Sequence, residues 1–80
     1  MLKIARRHPR ISVDPAVMLG KPCIKGTRMP VSMILEELAD GMTPAEVVEA
    51  HPFVTLEDVR AAQIFAADVV ADEAVVLADA

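Results

Sequence analysis

The cationic side chains of this 80-residue chain are concentrated at its start, where they could bind phosphate groups. Seven of the eight lie within the first 30 residues: Lys3, Arg6, Arg7, Arg10, Lys21, Lys25 and Arg28. With Asp14 as the single acid there, this part carries +6, whereas the remaining 50 residues carry −10 because Arg60 stands alone against eleven carboxylates. A basic segment attracts polyanions largely without regard to sequence. The charge pattern therefore predicts a nucleic-acid-binding arm and an acidic half that can face a basic protein.

Residues 20–28 read GKPCIKGTR and contain the residue types of a phosphate-cradling nucleotide loop. Their order is wrong for one, because such a loop needs Lys followed by Ser or Thr directly after its second glycine. Thr27-Arg28 occupies that place here, and Pro22 removes an amide donor within the loop. Nucleotide hydrolysis is therefore not expected.

The sequence offers only weak candidates for other site chemistry. Cys23 and His51 could form a nucleophile and base, but a lone cysteine is more often a small core residue, and His51 suits a donor near a helix C-terminus. His8 and His51 lack the Cys/His spacing of a zinc site. We therefore expect no catalytic residue, no metal, no cofactor and no small-molecule substrate.

Size and composition favour a single domain, residues 1–80, that associates with itself. The chain is 54% hydrophobic but only 2% aromatic, so its core must be filled by small side chains that bury little area each. Its single cysteine excludes an internal disulfide. No run approaches the roughly 20 apolar residues of a membrane span, and the early charges argue against a secretory signal. These features predict a cytoplasmic homodimer.

The pattern of turn residues predicts a mainly α fold with a short N-terminal β arm. Residues 1–30 would form a basic arm and loop, with short strands at 10–13 and 23–24. Residues 31–70 would form a three-helix bundle, with helices at 31–40, from Pro44 to near Ala50, and from Leu56 onward. The third helix would continue beyond the bundle to about Leu77. Residues 71–80 would be a helical tail.

Residues 41–60 have the layout of a helix-turn-helix, with a generic three-helix bundle as the alternative. If the third helix read DNA, only Arg60 and Gln63 could contact base edges. Its first turn instead carries Glu57 and Asp58, where a recognition helix normally offers hydrogen-bond donors. We therefore expect the basic arm to supply most of the affinity for DNA.

The third helix is apolar on more than one side, which is typical of an association surface. One side, expected to face the bundle, comprises Leu56, Val59, Ala62 and Ala66. The residues spread round the rest of the axis, expected to bind a partner, are Ile64, Phe65, Val69, Val75, Val76 and Leu77. A frayed helix end is the alternative for the last of these.

Seven residues of the arm carry a specific resemblance: Gly20, Lys21, Pro22, Gly26, Thr27, Arg28 and Pro30. Together with Gly41-Met42-Thr43, His51-Pro52 and residues 56–59, they closely resemble the bacterial family called domain of unknown function 433. The resemblance implies a small homeodomain-like three-helix fold with an N-terminal β arm. It also implies a gene often found beside a PIN-like toxin nuclease and a protein regarded as its antitoxin. It brings no assigned catalytic residue.

The resulting hypothesis is an antitoxin of a type II toxin-antitoxin system. A homodimer would hold promoter duplex DNA with its basic arms and helix-turn-helix, and its acidic, apolar C-terminal helix would sequester a toxin nuclease. Two alternatives remain open: a stand-alone DNA-binding transcriptional regulator, and a structural interaction module that binds no nucleic acid.

Overall fold

A computed structural model describes residues 8–72 of the chain. This part of the chain is mainly helical, with three helices and a small two-stranded antiparallel sheet. The strands are β1 (Ile11–Ser12) and β2 (Cys23–Ile24), separated by a short 3-10 turn at Met18–Gly20. The helices are α1 (Val31–Ala39), α2 (Pro44–Ala50) and α3 (Leu56–Asp72). Within residues 8–72, no helix is long and apolar enough to cross a membrane.

Local sequence signals account for the ends of α1 and α2. Pro30 is the N-cap of α1, Asp40 is its C-cap, and Gly41 follows with φ of 103°, a conformation that glycine adopts without strain. Thr43 and Glu46 form a reciprocal capping box at the start of α2, with Pro44 at the first helical position. The expected α1 and α2 are thus confirmed to within one residue.

Thr55 and Asp58 form a second reciprocal cap at the start of α3. The Thr55 backbone N–H donates to Asp58 Oδ2 at 3.0 Å, and the Asp58 N–H donates to Thr55 Oγ1 at 3.1 Å. Asp58 is only 6% exposed, the single buried charged residue that the structure describes. The helix is described to Asp72, so the predicted continuation to Leu77 lies outside the described residues.

The β arm packs on the helices, and this contact stabilises a two-stranded ribbon that would be marginal alone. Ile11 pairs with Ile24 and Ser12 with Cys23. Cys23 is 1% exposed, as the small core residue that the sequence predicts. One core spans the arm and all three helices, and its members are Ile24, Met29, Val31, Ile34, Val47, Val54, Val59 and Ala62.

The register of α3 differs from expectation at its first residue. Val59 and Ala62 are buried and Ala66 is half-buried, but Leu56 is 56% exposed. The prediction that Leu56 faces the bundle is therefore wrong. Leu56 opens the helix, one turn ahead of Val59, and the apolar position before the helix is taken by Val54, which is 1% exposed.

The capping box of α2 makes one prediction about pH. The Thr43 backbone N–H donates to Glu46 Oε1 at 2.8 Å, and this bond, followed by the side-chain hydrogen bond between Thr43 and the Glu46 carboxylate, lowers the pKa of Glu46 below its usual value. Because the folded-state pKa is the lower one, the stabilisation is complete above the unfolded pKa and is lost as pH falls through the folded pKa. We expect Glu46→Gln to lower the melting temperature at pH 7. At a pH low enough to protonate the Glu46 carboxylate of the wild type, the two proteins should have the same melting temperature. Thermal unfolding followed by circular dichroism between pH 7 and 2.5 measures this, with Glu49→Gln, on the exposed side of the same helix, as control; a constant difference at every pH would contradict it.

Candidate nucleic-acid interface

The family-type signature in residues 20–30 builds the turn that joins the β arm to α1. Gly20 and Gly26 have φ of 81° and 79°, which a side chain would strain. The Thr27 hydroxyl donates to the Ile24 carbonyl at 2.8 Å and accepts from the Met29 N–H at 3.0 Å. The backbone N–H of Ile24 also donates to the Met29 carbonyl at 2.9 Å, which closes the turn. Gly20 thus shapes the 3-10 turn before β2, and Gly26 and Thr27 shape the turn between β2 and α1.

The proline residues of the signature attach the turn to the helices. Pro30 is buried, forms an isolated bridge with Cys23, and caps α1. The N–H of Val31 donates to the Pro22 carbonyl at 2.9 Å, so the first turn of α1 is held by the residue that precedes β2. These contacts give a structural reason for the glycines, the prolines and Thr27, but none for the charges of Lys21 and Arg28.

Lys25 and Arg28 meet at one face of the turn. Both side chains are exposed, and they line a cavity of about 490 Å³ together with Ser12, Asp14, Val17, Gly26 and Thr27. The acid in this cavity is Asp14, whose Oδ1 accepts from the Ala16 N–H at 2.9 Å. Within residues 8–72, no carboxylate pairs with Lys25 or Arg28. Two cations are therefore available here to an anionic partner.

Arg10 and Arg60 lie together at a second place. They line a cavity of about 250 Å³ with His8, Pro9, Glu57, Ala61 and Ile64. Arg10 Nη1 donates to Asp58 Oδ1 at 3.1 Å, with the Arg10 side chain half-exposed and that of Asp58 8% exposed. Glu57 is in the same cavity, so this site is less positive than its two arginines suggest.

Lys21 lies at a third place, beside the groove between α1 and α3 that Phe65 and Val69 also line. Gln63 is exposed on α3, three residues after Arg60 and so on the same side of the helix. The structure therefore divides the predicted cations among three surfaces. Lys3, Arg6 and Arg7, and Val75, Val76 and Leu77 of the predicted partner-binding set, lie outside the described residues.

Three side-chain contacts were missed by reasoning from sequence. His51 Nε2 lies 3.0 and 2.9 Å from the two carboxylate oxygens of Glu37, so its N–H donates from the end of α2 to α1. His8 Nε2 lies 3.0 Å from Asp68 Oδ2, and its ring meets Phe65 edge-on at 5.2 Å. Arg10 and Asp58 make the third. Each contact joins residues far apart in the chain, and no spacing pattern in a sequence reveals such pairs. The hydroxyl of Thr27 is different, because a threonine directly after a turn glycine is a local indication of a hydroxyl-to-backbone hydrogen bond.

The described residues hold no arrangement that points to catalysis. No group of three or more His, Cys, Asp or Glu side chains in residues 8–72 could hold a metal ion. Cys23 is buried, and its Sγ donates to the Lys21 carbonyl at 3.3 Å, away from His51, whose ring is engaged by Glu37. The arrangement can bind anions through Lys25 and Arg28 and apolar partners through the α1–α3 groove.

Comparisons with known proteins identify a family for most of this chain. The profile of a family described as "Protein of unknown function (DUF433)" matches residues 11–66. An uncharacterized protein, y4eO, of Sinorhizobium fredii is 32% identical over 63 residues, which cover 79% of this chain. The chain spans only 28% of that relative's length.

A solved structure is similar in fold and sequence. The crystal structure of a DUF433 member protein from Anabaena variabilis superposes with a TM-score of 0.67 at 30% identity, covering 70% of this chain and 55% of that one. The resemblance noted in the arm is thereby confirmed at the level of the family. On the matched residues 11–66, this chain belongs to the DUF433 family of proteins of unknown function.

Proposed function

We propose that this chain is the antitoxin of a type II toxin-antitoxin pair. As a homodimer it holds promoter duplex DNA with its N-terminal third and neutralises a PIN-like toxin nuclease with the end of α3 and the residues beyond. The observation that carries this proposal is the exposed pair Lys25 and Arg28, which has no carboxylate partner within residues 8–72. The excess of carboxylates after residue 30 supports the proposed contact with the toxin.

DNA is held mainly through its phosphates. Lys25 and Arg28 project from a turn whose backbone is fixed by Thr27, so little backbone freedom is lost when they meet a phosphate. In a homeodomain-like placement, α3 enters the major groove and offers Arg60 and Gln63 to base edges. Glu57 on the same helix repels the backbone, and Arg10 is shared with Asp58. Few base edges are therefore contacted, and the affinity for DNA depends strongly on the salt concentration.

The toxin is bound through apolar contact and charge. The apolar contact is assigned to Val75, Val76 and Leu77, which lie outside the described residues. A nuclease surface that attracts RNA is basic, so the acidic half of this chain is drawn to it and can block the substrate. The protein acts by occupying surfaces, without a catalytic residue of its own.

The DNA half of the proposal is tested by the salt dependence of binding. If about six phosphates are neutralised, affinity for duplex DNA falls by orders of magnitude between about 50 and 200 mM salt. The double variant Lys25→Gln/Arg28→Gln should reduce the slope of log K against log salt by about two. Fluorescence anisotropy with a labelled duplex measures both quantities.

A matched control separates local contacts from total charge. Met33→Glu/Ala39→Glu changes the net charge by the same two units at exposed positions of α1, outside the arm and residues 41–60, and should leave the slope unchanged. A flat salt response in the wild type, or equal slopes for the wild type and the Lys25/Arg28 variant, would contradict the proposed DNA contact.

The toxin half is tested with a chain that lacks residues 71–80, because removing all of α3 would also remove the core residues Val59 and Ala62. The shortened chain should still bind DNA but should no longer protect RNA from the neighbouring nuclease in a cleavage assay. Full protection would show that these residues are not the inhibitory segment.

One observation favours a second candidate, the structural interaction module. Arg10, a member of the basic set, already pairs with Asp58 at 3.1 Å within the chain. If the other cations pair likewise with acidic surfaces, the chain binds no nucleic acid, and duplex DNA is not shifted even at low salt. A specific operator footprint without any co-purifying nuclease would instead identify a stand-alone regulator.

A further inference from the structure

An apolar groove runs between α1 and α3 on the surface of the molecule. Its volume is about 520 Å³. Val31 at its base is buried, whereas Leu35, Phe65 and Ala66 are half-buried. Val69 and Val70 of α3 also line the groove and are exposed. Within residues 8–72 no other segment covers this apolar surface, and its exposure to water is unfavourable for so small a domain.

The rim of the groove carries one charge of each sign. Lys21, in front of β2, and Glu36, on α1, both line it and both are exposed. Within residues 8–72, neither is paired with an oppositely charged side chain. The two charges of the rim thus cancel, but they lie on different segments of the chain. The rim therefore gives no preference for a strongly basic partner such as a nuclease surface, and it complements a copy of itself.

We propose that the groove is covered by a second copy of this chain in a two-fold arrangement. This inference rests on the homodimer of the proposed function and names its interface. In a two-fold interface the same patch meets itself, so every contact occurs twice. Val69 and Val70 of each copy enter the groove of the other, and Lys21 of each copy faces Glu36 of the other. The paired helices α1 and α3 of the two copies then form one apolar layer.

The arrangement assigns different surfaces to the two partners. Phe65 and Val69 serve self-association, while Lys25 and Arg28, which line a different cavity, stay free for DNA. Lys21, although part of the basic sequence block, belongs to the dimer contact.

Charge reversal tests the proposed ion pairs. Lys21→Glu places like charges opposite each other twice, and so does Glu36→Lys; each should raise the dimer dissociation constant about tenfold. The double variant Lys21→Glu/Glu36→Lys restores opposite signs and should return the constant close to the wild-type value. Sedimentation equilibrium of the full chain without DNA gives all four constants. Single variants that dimerise like the wild type, or a double variant no tighter than the singles, would overturn the pairing.

Substitution on α3 tests the apolar part. Val69→Glu should raise the dissociation constant about a hundredfold, because it places a charge in the buried centre of the interface. Ala67→Glu introduces the same charge at an exposed position of α3, about 200° around the helix from Val69, and should leave association unchanged. Circular dichroism confirms that both variants are folded. Equal effects of the two substitutions would overturn the groove as the interface.

The wild type itself provides the last outcome. A chain that stays monomeric at every concentration reached would overturn the proposal, and loss of nuclease binding in Val69→Glu alone would then assign the groove to the toxin. Failure here is distinct from failure of the proposed function, since the DNA measurement depends on Lys25 and Arg28 and the nuclease assay on residues 71–80.

Discussion

Replacing Asp58 by alanine should lower the free energy of unfolding by about 3 kcal/mol. The carboxylate accepts from the Thr55 N–H through Oδ2 and from the Arg10 guanidinium through Oδ1, so one side chain caps α3 and fastens the β arm to it. Loss of the cap contributes about 1 kcal/mol and loss of the charge-assisted bond about 1.5 to 3 kcal/mol. For a domain of this size, whose total stability is about 4 to 12 kcal/mol, this is a large share.

Urea denaturation followed by circular dichroism measures the effect. Glu57→Ala is the matched control, because Glu57 is the adjacent acid in the same first turn but is exposed, and it should cost no more than about 0.5 kcal/mol. Arg10→Ala should cost less than Asp58→Ala, since it leaves the Thr55 cap in place. If Glu57→Ala were as damaging as Asp58→Ala, the contribution would come from helix-dipole charge alone and the two hydrogen bonds would be irrelevant.

Ile34→Ala should lower the free energy of unfolding by about 2 to 5 kcal/mol. Ile34 is 0% exposed in α1 and belongs to the core shared by the arm and the three helices. Truncation removes buried methyl groups and leaves a cavity that rigid helices on all sides cannot fill. Chemical denaturation with an unchanged m-value would show that the loss lies in the native state.

The neighbouring residue provides the comparison for this prediction. Met33 is 43% exposed on the same helix, so Met33→Ala removes a side chain of similar size largely from water and should cost under about 1 kcal/mol. Equal costs at the two positions would mean that α1 packs with a different face towards the core.

Much of the helical framework could be predicted from single residues that act locally. Pro30 and Gly41 bracket α1, and the Thr43-Pro44 start of α2 needs no tertiary contact to form its capping box. Such signals work because the hydrogen bonds concerned join residues three or four apart. The homeodomain-like form of the fold that the resemblance implies, and the roles in antitoxin action, stay predictions.

The candidate site was less predictable because it depends on contacts across the chain. Asp58 looked like an obstacle to DNA binding, yet its buried carboxylate serves Thr55 beside it and Arg10, 48 positions away. No periodicity links residues at that distance.

The cations of residues 20–28 do not form a single surface in the folded chain. Lys21 and Lys25 are four residues apart in sequence, but β2 lies between them and the turn at Gly26 follows Lys25. The two lysines therefore line different cavities. The turn reverses the chain, so Lys25 meets Arg28 instead. A count of charges along the sequence cannot reveal this division, which depends on the path of the backbone.

The position of Cys23 has a consequence for how copies of this protein can join. The chain's only thiol is 1% exposed in β2, so it cannot reach the sulfur of another molecule unless the arm opens. A disulfide through Cys23 is therefore closed to two folded copies, in oxidising and reducing surroundings alike. Association of folded copies consequently depends on non-covalent contacts, and it should not respond to a change of redox conditions.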